Sequence, residues 1–151
     1  KSFKGVLTAH KARGLPKTGF RESYRRFVKS LIAVGDGSGQ DTSIGLQIEI
    51  IAQANPYTDD MASGLQVLVL LEGKPRPNAQ VELFARPTGT DEDVQVTLHF
   101  TNEMGIATLP VQYGHEYMAD HVALIPVEPD QDTDPVWHSL WANLTFSVPA
   151  R

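Results

Sequence analysis

The side chains best suited to chemistry in this sequence are five histidines, His10, His99, His115, His121 and His138, with no cysteine to accompany them. Where thiolates are absent, imidazole nitrogens and carboxylates are the natural ligands of nickel, cobalt and zinc. No two histidines stand in the H-E-x-x-H spacing that puts two metal ligands and a general base on one helix face, which counts against a zinc hydrolase. His115, Glu116, Asp120 and His121 crowd one stretch, and His138 opens the next apolar run. If those segments are neighbouring strands, His121 and His138 can approach one another with Asp120 beside them, and these three are the candidate metal set. An ordinary hydrogen-bonded histidine is commoner than a ligand. His121 shares its strand face with Tyr117, Ala119, Ala123 and Ile125, as a partly buried structural residue would. The expectation is therefore no cofactor and no high-affinity transition-metal site in the isolated chain, with His121, His138 and Asp120 as the place to look for one.

Other motifs lack the residues that would complete them. Asp130, Asp132 and Asp134 have the D-x-D-x-D spacing of a calcium loop, but Pro135 and Trp141 stand where its turn glycine and bidentate glutamate belong. Gly35, Gly37 and Gly39 are followed by Gln40 and Asp41 rather than by the Lys-Ser/Thr of a phosphate loop, so they read as a flexible linker. There is no G-x-S-x-G elbow and no marked carboxylate pair, and no enzymatic activity is expected. Asn143-Leu144-Thr145 matches a glycosylation acceptor but falls inside a predicted strand. Trp137 and Trp141 share one face of that strand, where they pack against the sheet or a neighbouring domain. Exposed beside polar groups they would instead make a sugar platform.

The elements that must position these residues are strands. A chain of 151 residues with 41% hydrophobic content builds one core. Its net charge of −5 counts against nucleic acid as a partner, and the basic group Arg21, Arg25, Arg26 and Lys29 reads as a solvated or inter-domain face. No run approaches the roughly 18 apolar residues of a membrane helix. From Gly45 onward the period is two: Leu46–Ile50, Ala79–Arg86, Val94–Thr101 and Leu140–Val148 alternate apolar with polar residues. Leu65–Leu71 is almost continuously apolar, as a central strand is, and strands are also expected at Ile106–Leu109 and Tyr117–Ile125. Glu72-Gly73-Lys74-Pro75 and Asn102-Glu103-Met104-Gly105 are turns, and the acidic stretch Glu128–Asp134 is an exposed loop. About seven strands separated in this way predict an all-β, immunoglobulin-like sandwich.

The first forty residues are patterned differently. Phe20, Tyr24, Phe27 and Leu31 fit a helical spacing, while Tyr24, Val28, Ile32 and Val34 fit a strand. The expected outcome is a short helical turn, then a strand at about 26–34 that stops at the glycines. The chain thus divides into 1–40, an irregular extension or the remnant of a preceding domain plus linker, and a sandwich at 41–151. Opening on Lys1 rather than Met, it reads as a processed protein or a fragment. The apolar residues of the extension need cover from the sandwich, a second copy or another domain.

Several segments in this order resemble a family. Arg21-Glu22-Ser23-Tyr24-Arg25-Arg26-Phe27-Val28-Lys29-Ser30-Leu31-Ile32-Ala33-Val34-Gly35, Gly45-Leu46-Gln47-Ile48-Glu49-Ile50 with Asn55-Pro56-Tyr57, the Glu72–Pro75 turn, and Trp137-His138-Ser139-Leu140-Trp141-Ala142-Asn143-Leu144-Thr145-Phe146 are similar to the NikM-like, nickel-uptake-associated domain-of-unknown-function family (DUF4198) of bacterial extracytoplasmic proteins. The resemblance covers nearly all of the chain from about Phe20. The part from Leu65 to Ile125 also resembles carboxypeptidase-regulatory, transthyretin-like β-sandwiches. The family resemblance implies a periplasmic or secreted protein, a preceding β domain and a loose association with metal uptake. It carries over no catalytic or ligand residue, and His138 stands where the closing motif often has an acidic residue. The expected function is a non-enzymatic binding or structural module of a bacterial envelope protein, partnered by another domain or envelope protein, with oligomerisation left open. Its rivals are a nickel- or cobalt-handling protein and a carbohydrate-binding module.

Overall fold

A computed structural model describes residues 3–131 and 133–151, with side chains from residue 5 onward. Among the described residues the order is α1 (Phe3–Ala12), β1 (Arg21–Ser30), β2 (Ile48–Ala52), β3 (Leu65–Leu71), β4 (Lys74–Pro75), β5 (Gln80–Pro87), β6 (Gln95–Phe100), β7 (Ile106–Leu109), β8 (His115–Pro126) and β9 (Pro135–Val148). They build a two-sheet, all-β sandwich. The larger sheet runs β1-β9-β8-β5-β6. In the smaller, β3 is flanked by β2 on one side and by β7 and then β4 along the other. Every pairing is antiparallel except that of β1 with β9.

The period-two segments form strands because alternation offers one apolar side to the other sheet. Leu140, Ala142, Leu144, Phe146 and Val148 of β9 meet Ile48 and Ile50 of β2 and Val67 and Val69 of β3 in one buried cluster, joined by Val81, Leu83, Ala119 and Ala123. The Asn102–Gly105 turn requires its glycine. Gly105 has φ +76°, and a Cβ there would stand 2.8 Å from the Arg76 amide nitrogen.

The N-terminal segment differs from the sequence expectation. The strand is 21–30, not 26–34, and the helix lies earlier, at 3–12, ending at Gly14 with φ +68°. The helical spacing of Phe20, Tyr24 and Phe27 loses to a ten-residue ladder with β9, because that pairing extends the larger sheet and seats Phe27 on the core. Phe27 and Leu31 consequently pack on the core while Tyr24 and Val28 point outward and are exposed. The last strand starts at Pro135 and includes Trp137 and His138, as expected.

Two buried polar groups pin this segment. Lys29 of β1 reaches Asp41 at 2.8 Å and Glu49 of β2 at 3.1 Å, bridging the two sheets. Glu49 also accepts bonds from the Ile44 amide and the Ser43 hydroxyl. Burial pushes the Glu49 carboxyl up, but these donors and Lys29 outweigh it and leave its pKa below the ordinary value. At the other end, His10 of α1 donates from Nε2 to the Pro16 carbonyl and accepts at Nδ1 from the Trp137 indole at 3.0 Å. Arg13 lies over the Trp137 ring and donates to the Val127 and Val136 carbonyls. The glycine stretch is held as well, for the Asn55 amide donates to the carbonyls of Gly37 and Gly39.

Candidate functional site

The structure does not bring the sequence-predicted metal set together. In the β8–β9 ladder His121 pairs with Ala142 and His138 with Ile125. Both face inward, but they are four residues apart along adjacent strands, roughly 13 Å. Asp120 necessarily points to the opposite face. The His138 ring meets Ser23 through Nδ1, and His121 Nδ1 donates to the Gln80 carbonyl at 2.6 Å. That bond leaves His121 Nε2 as an acceptor, buried and without a partner. Burial, reinforced by the charge of Arg76, lowers the His121 pKa to about 4, so the ring is neutral at pH 7. Among the described residues no three histidine, aspartate or glutamate side chains converge on one point. Of the acidic triple, Asp132 lies outside the described residues, and Asp134 closes a turn by accepting the amides of Asp130 and Gln131.

The sugar-platform geometry is also altered. Trp137 is buried beneath His10 and Arg13, and the Arg26 guanidinium lies 5.3 Å from the Trp141 ring centroid and 5.5 Å from that of Tyr24. Arginine thus covers a face of each tryptophan.

What the strands assemble instead is a broad outer face on the five-stranded sheet. Register places Val28, Asn143, Asp120, Glu82 and Leu98 in one row across β1, β9, β8, β5 and β6. The next row is Ser30, Thr145, Met118, Phe84 and Val96. On the other side of the first row stand Arg26, Trp141 and Val122, followed by Tyr24, Ser139 and Leu124. Both flanks are open: Tyr24 is 65% and Val28 62% exposed on β1, and Val96, Leu98 and Phe100 are 50–60% exposed on β6. A groove of about 590 Å³ crosses the lower end, walled by Ile32 and Val94 with Phe84 and Met118 among its lining and the Arg86–Glu116 ion pair in its side.

A polar strip runs through the middle. Asp120 is buried, and its Oδ1 accepts from the Asn143 amide at 2.5 Å. Burial and, secondarily, the charge of Glu82 raise its pKa to about 6, against the lowering effects of Asn143 and Arg26. Glu22 takes the Ser139 hydroxyl, which in turn accepts the Trp141 indole N–H.

Sequence alternation identifies Val96, Leu98 and Phe100 as one face of a strand but not as the outer one. The smaller sheet is too narrow to cover β6, which overhangs it, so its apolar half turns outward while Gln95, Thr97 and His99 take the inner side. The available signal was compositional, since neither half of β6 carries a charge, unlike β1 with its five charged residues.

Fold and face together define a two-layer β-sandwich domain that leaves one apolar sheet face open. The sequence profile of the Domain of unknown function (DUF4198) family matches residues 6–123, and the chain belongs to that family. No curated protein and no solved structure matches it.

Proposed function

We propose that this domain is a non-catalytic binding module that works through the outer face of its five-stranded sheet, as part of a bacterial envelope protein. The observation that carries the reading is the placement of Val96, Leu98 and Phe100, three large apolar side chains turned to solvent on an uncharged edge strand. Monomeric soluble domains seldom leave such rows uncovered, because contiguous apolar area drives association. The periplasmic or secreted placement is supported by the family resemblance, as is the association with nickel or cobalt uptake. No convergence of ligands among the described residues favours the metal reading over docking.

The test is binding of an apolar fluorescent dye to the folded chain at submicromolar dilution. The triple replacement of Val96, Leu98 and Phe100 by threonine is expected to remove that binding while leaving the urea midpoint in place. Dye binding untouched by the replacement would refute the reading.

A further inference from the structure

Resting on that reading, we infer that the partner of the outer face is a second copy of this chain, joined about a twofold axis running along β8. Three features of the face point to self-association. The first is its symmetry. β8 is the middle strand of five, so a twofold along it lays β6 of one copy over β1 of the other. Leu98 and Val28 lie in the same cross-strand row, and the rotation sets each against the other's image. Both exposed apolar flanks are thereby covered at once.

The second is charge. Arg26 stands on β1 and Glu82 on β5, one row apart. The rotation lays the β5 of the partner over β9, next to β1, which brings the Arg26 guanidinium of one copy within reach of the Glu82 carboxylate of the other, twice per dimer.

The third is shape and size. α1 rises beside Trp137 at one corner of the face. Gln80 begins β5 and pairs with Phe100, the last residue of β6, so neither strand continues past that row and the other corner of the same end is free to receive the α1 of the partner. Five strands over three rows, with three strands over a fourth, give a footprint of roughly 600 Å². That lies below the ~800 Å² per partner of a standard interface, as suits a micromolar and not a tighter dimer.

Sedimentation equilibrium of the whole chain, with concentrations up to about 200 µM, decides the matter. The expected result is a dimer with a micromolar Kd, weakened at least ~30-fold by Leu98→Lys and unchanged by Gln66→Glu, an exposed position on β3 of the smaller sheet. Arg26→Glu and Glu82→Lys should each weaken it, and the two together should restore it, a rescue that needs the residues to meet across copies. These side chains lie on the sheet surface, so the charge swap remains readable even if Leu98→Lys does not fold. A chain that stays monomeric, a dimer indifferent to Leu98→Lys, or an additive rather than restored double variant would overturn the inference. In each of those cases dye binding, read independently at high dilution, still decides whether the face is a docking surface for something else.

Discussion

The two faces of the five-stranded sheet are built from the same strands with the same alternation, yet they obey different rules. On the inner face Val81, Leu83, Ala119, Ala123, Leu140 and Leu144 are essentially sealed from water, and a titratable ring beside them, His121, is held neutral. On the outer face apolar side chains of similar size stay half open, and the carboxylate among them, Asp120, sits against Asn143. Period two states that a strand has two sides; which side meets the core depends on what lies across from it. For β9 it is the smaller sheet, and for β6 it is solvent.

The comparison breaks most sharply where the inner face carries charge. Lys29→Met leaves Asp41 and Glu49 buried without their cation, and should lower the unfolding free energy by about 3–5 kcal/mol in urea titrations. Leu144→Ala, which opens a cavity between the sheets, should cost about 2–5 kcal/mol by the same measurement. Leu98→Ala on the outer face should stay within about 0.5 kcal/mol. Equal losses for the two leucines would mean that the faces are energetically alike.

Acid sharpens the contrast. His121 titrates near 6.5 when unfolded and near 4 when folded, so the unfolded chain takes the proton first. Its contribution is fully present above pH 6.5 and is lost as pH falls toward 4, a change of at most about 3 kcal/mol. Asp120 works the other way. Its folded pKa is raised from 3.8 to about 6, so it adds stability at low pH that disappears as pH rises through 6. Unfolding free energies between pH 7 and 4.5 should therefore fall less steeply in His121→Gln than in the parent, and more steeply in Asp120→Asn. Parallel profiles for all three would remove both assignments.

A small effect is also expected at Arg26. Its contacts with Tyr24 and Trp141 are exposed cation–π interactions, and Arg26→Ala should cost no more than about 1 kcal/mol. A larger loss would place Arg26 among the supports of the fold rather than on its surface.

Most of the sandwich was legible in the sequence, because strands from β2 onward are written as alternation with turn residues between them. Residues 1–30 were not. Tyr24, Phe27 and Val28 satisfy helical and strand spacings alike, and what selects the strand is β9, more than a hundred residues away. The candidate site was read partly for a similar reason. His121 was legible as a buried, hydrogen-bonded side chain, whereas its distance from His138 depends on ladder register, which alternation does not encode. Asp120 fell on the face opposite His121 by strand parity alone, and Trp137 and Trp141 shared a face as their spacing implied.

The parallel pairing of β1 with β9 has a consequence for how the molecule is made. Arg21 is translated 114 residues before its partner Pro135, since 135 − 21 = 114. At about 5–20 residues per second, the early strand waits roughly 6–23 s on the ribosome without its mate. During that interval its backbone donors and acceptors are a template for any passing strand. Cotranslational folding can complete the smaller sheet and the β5–β6 hairpin, but the larger sheet closes only after the C-terminal strand has left the exit tunnel.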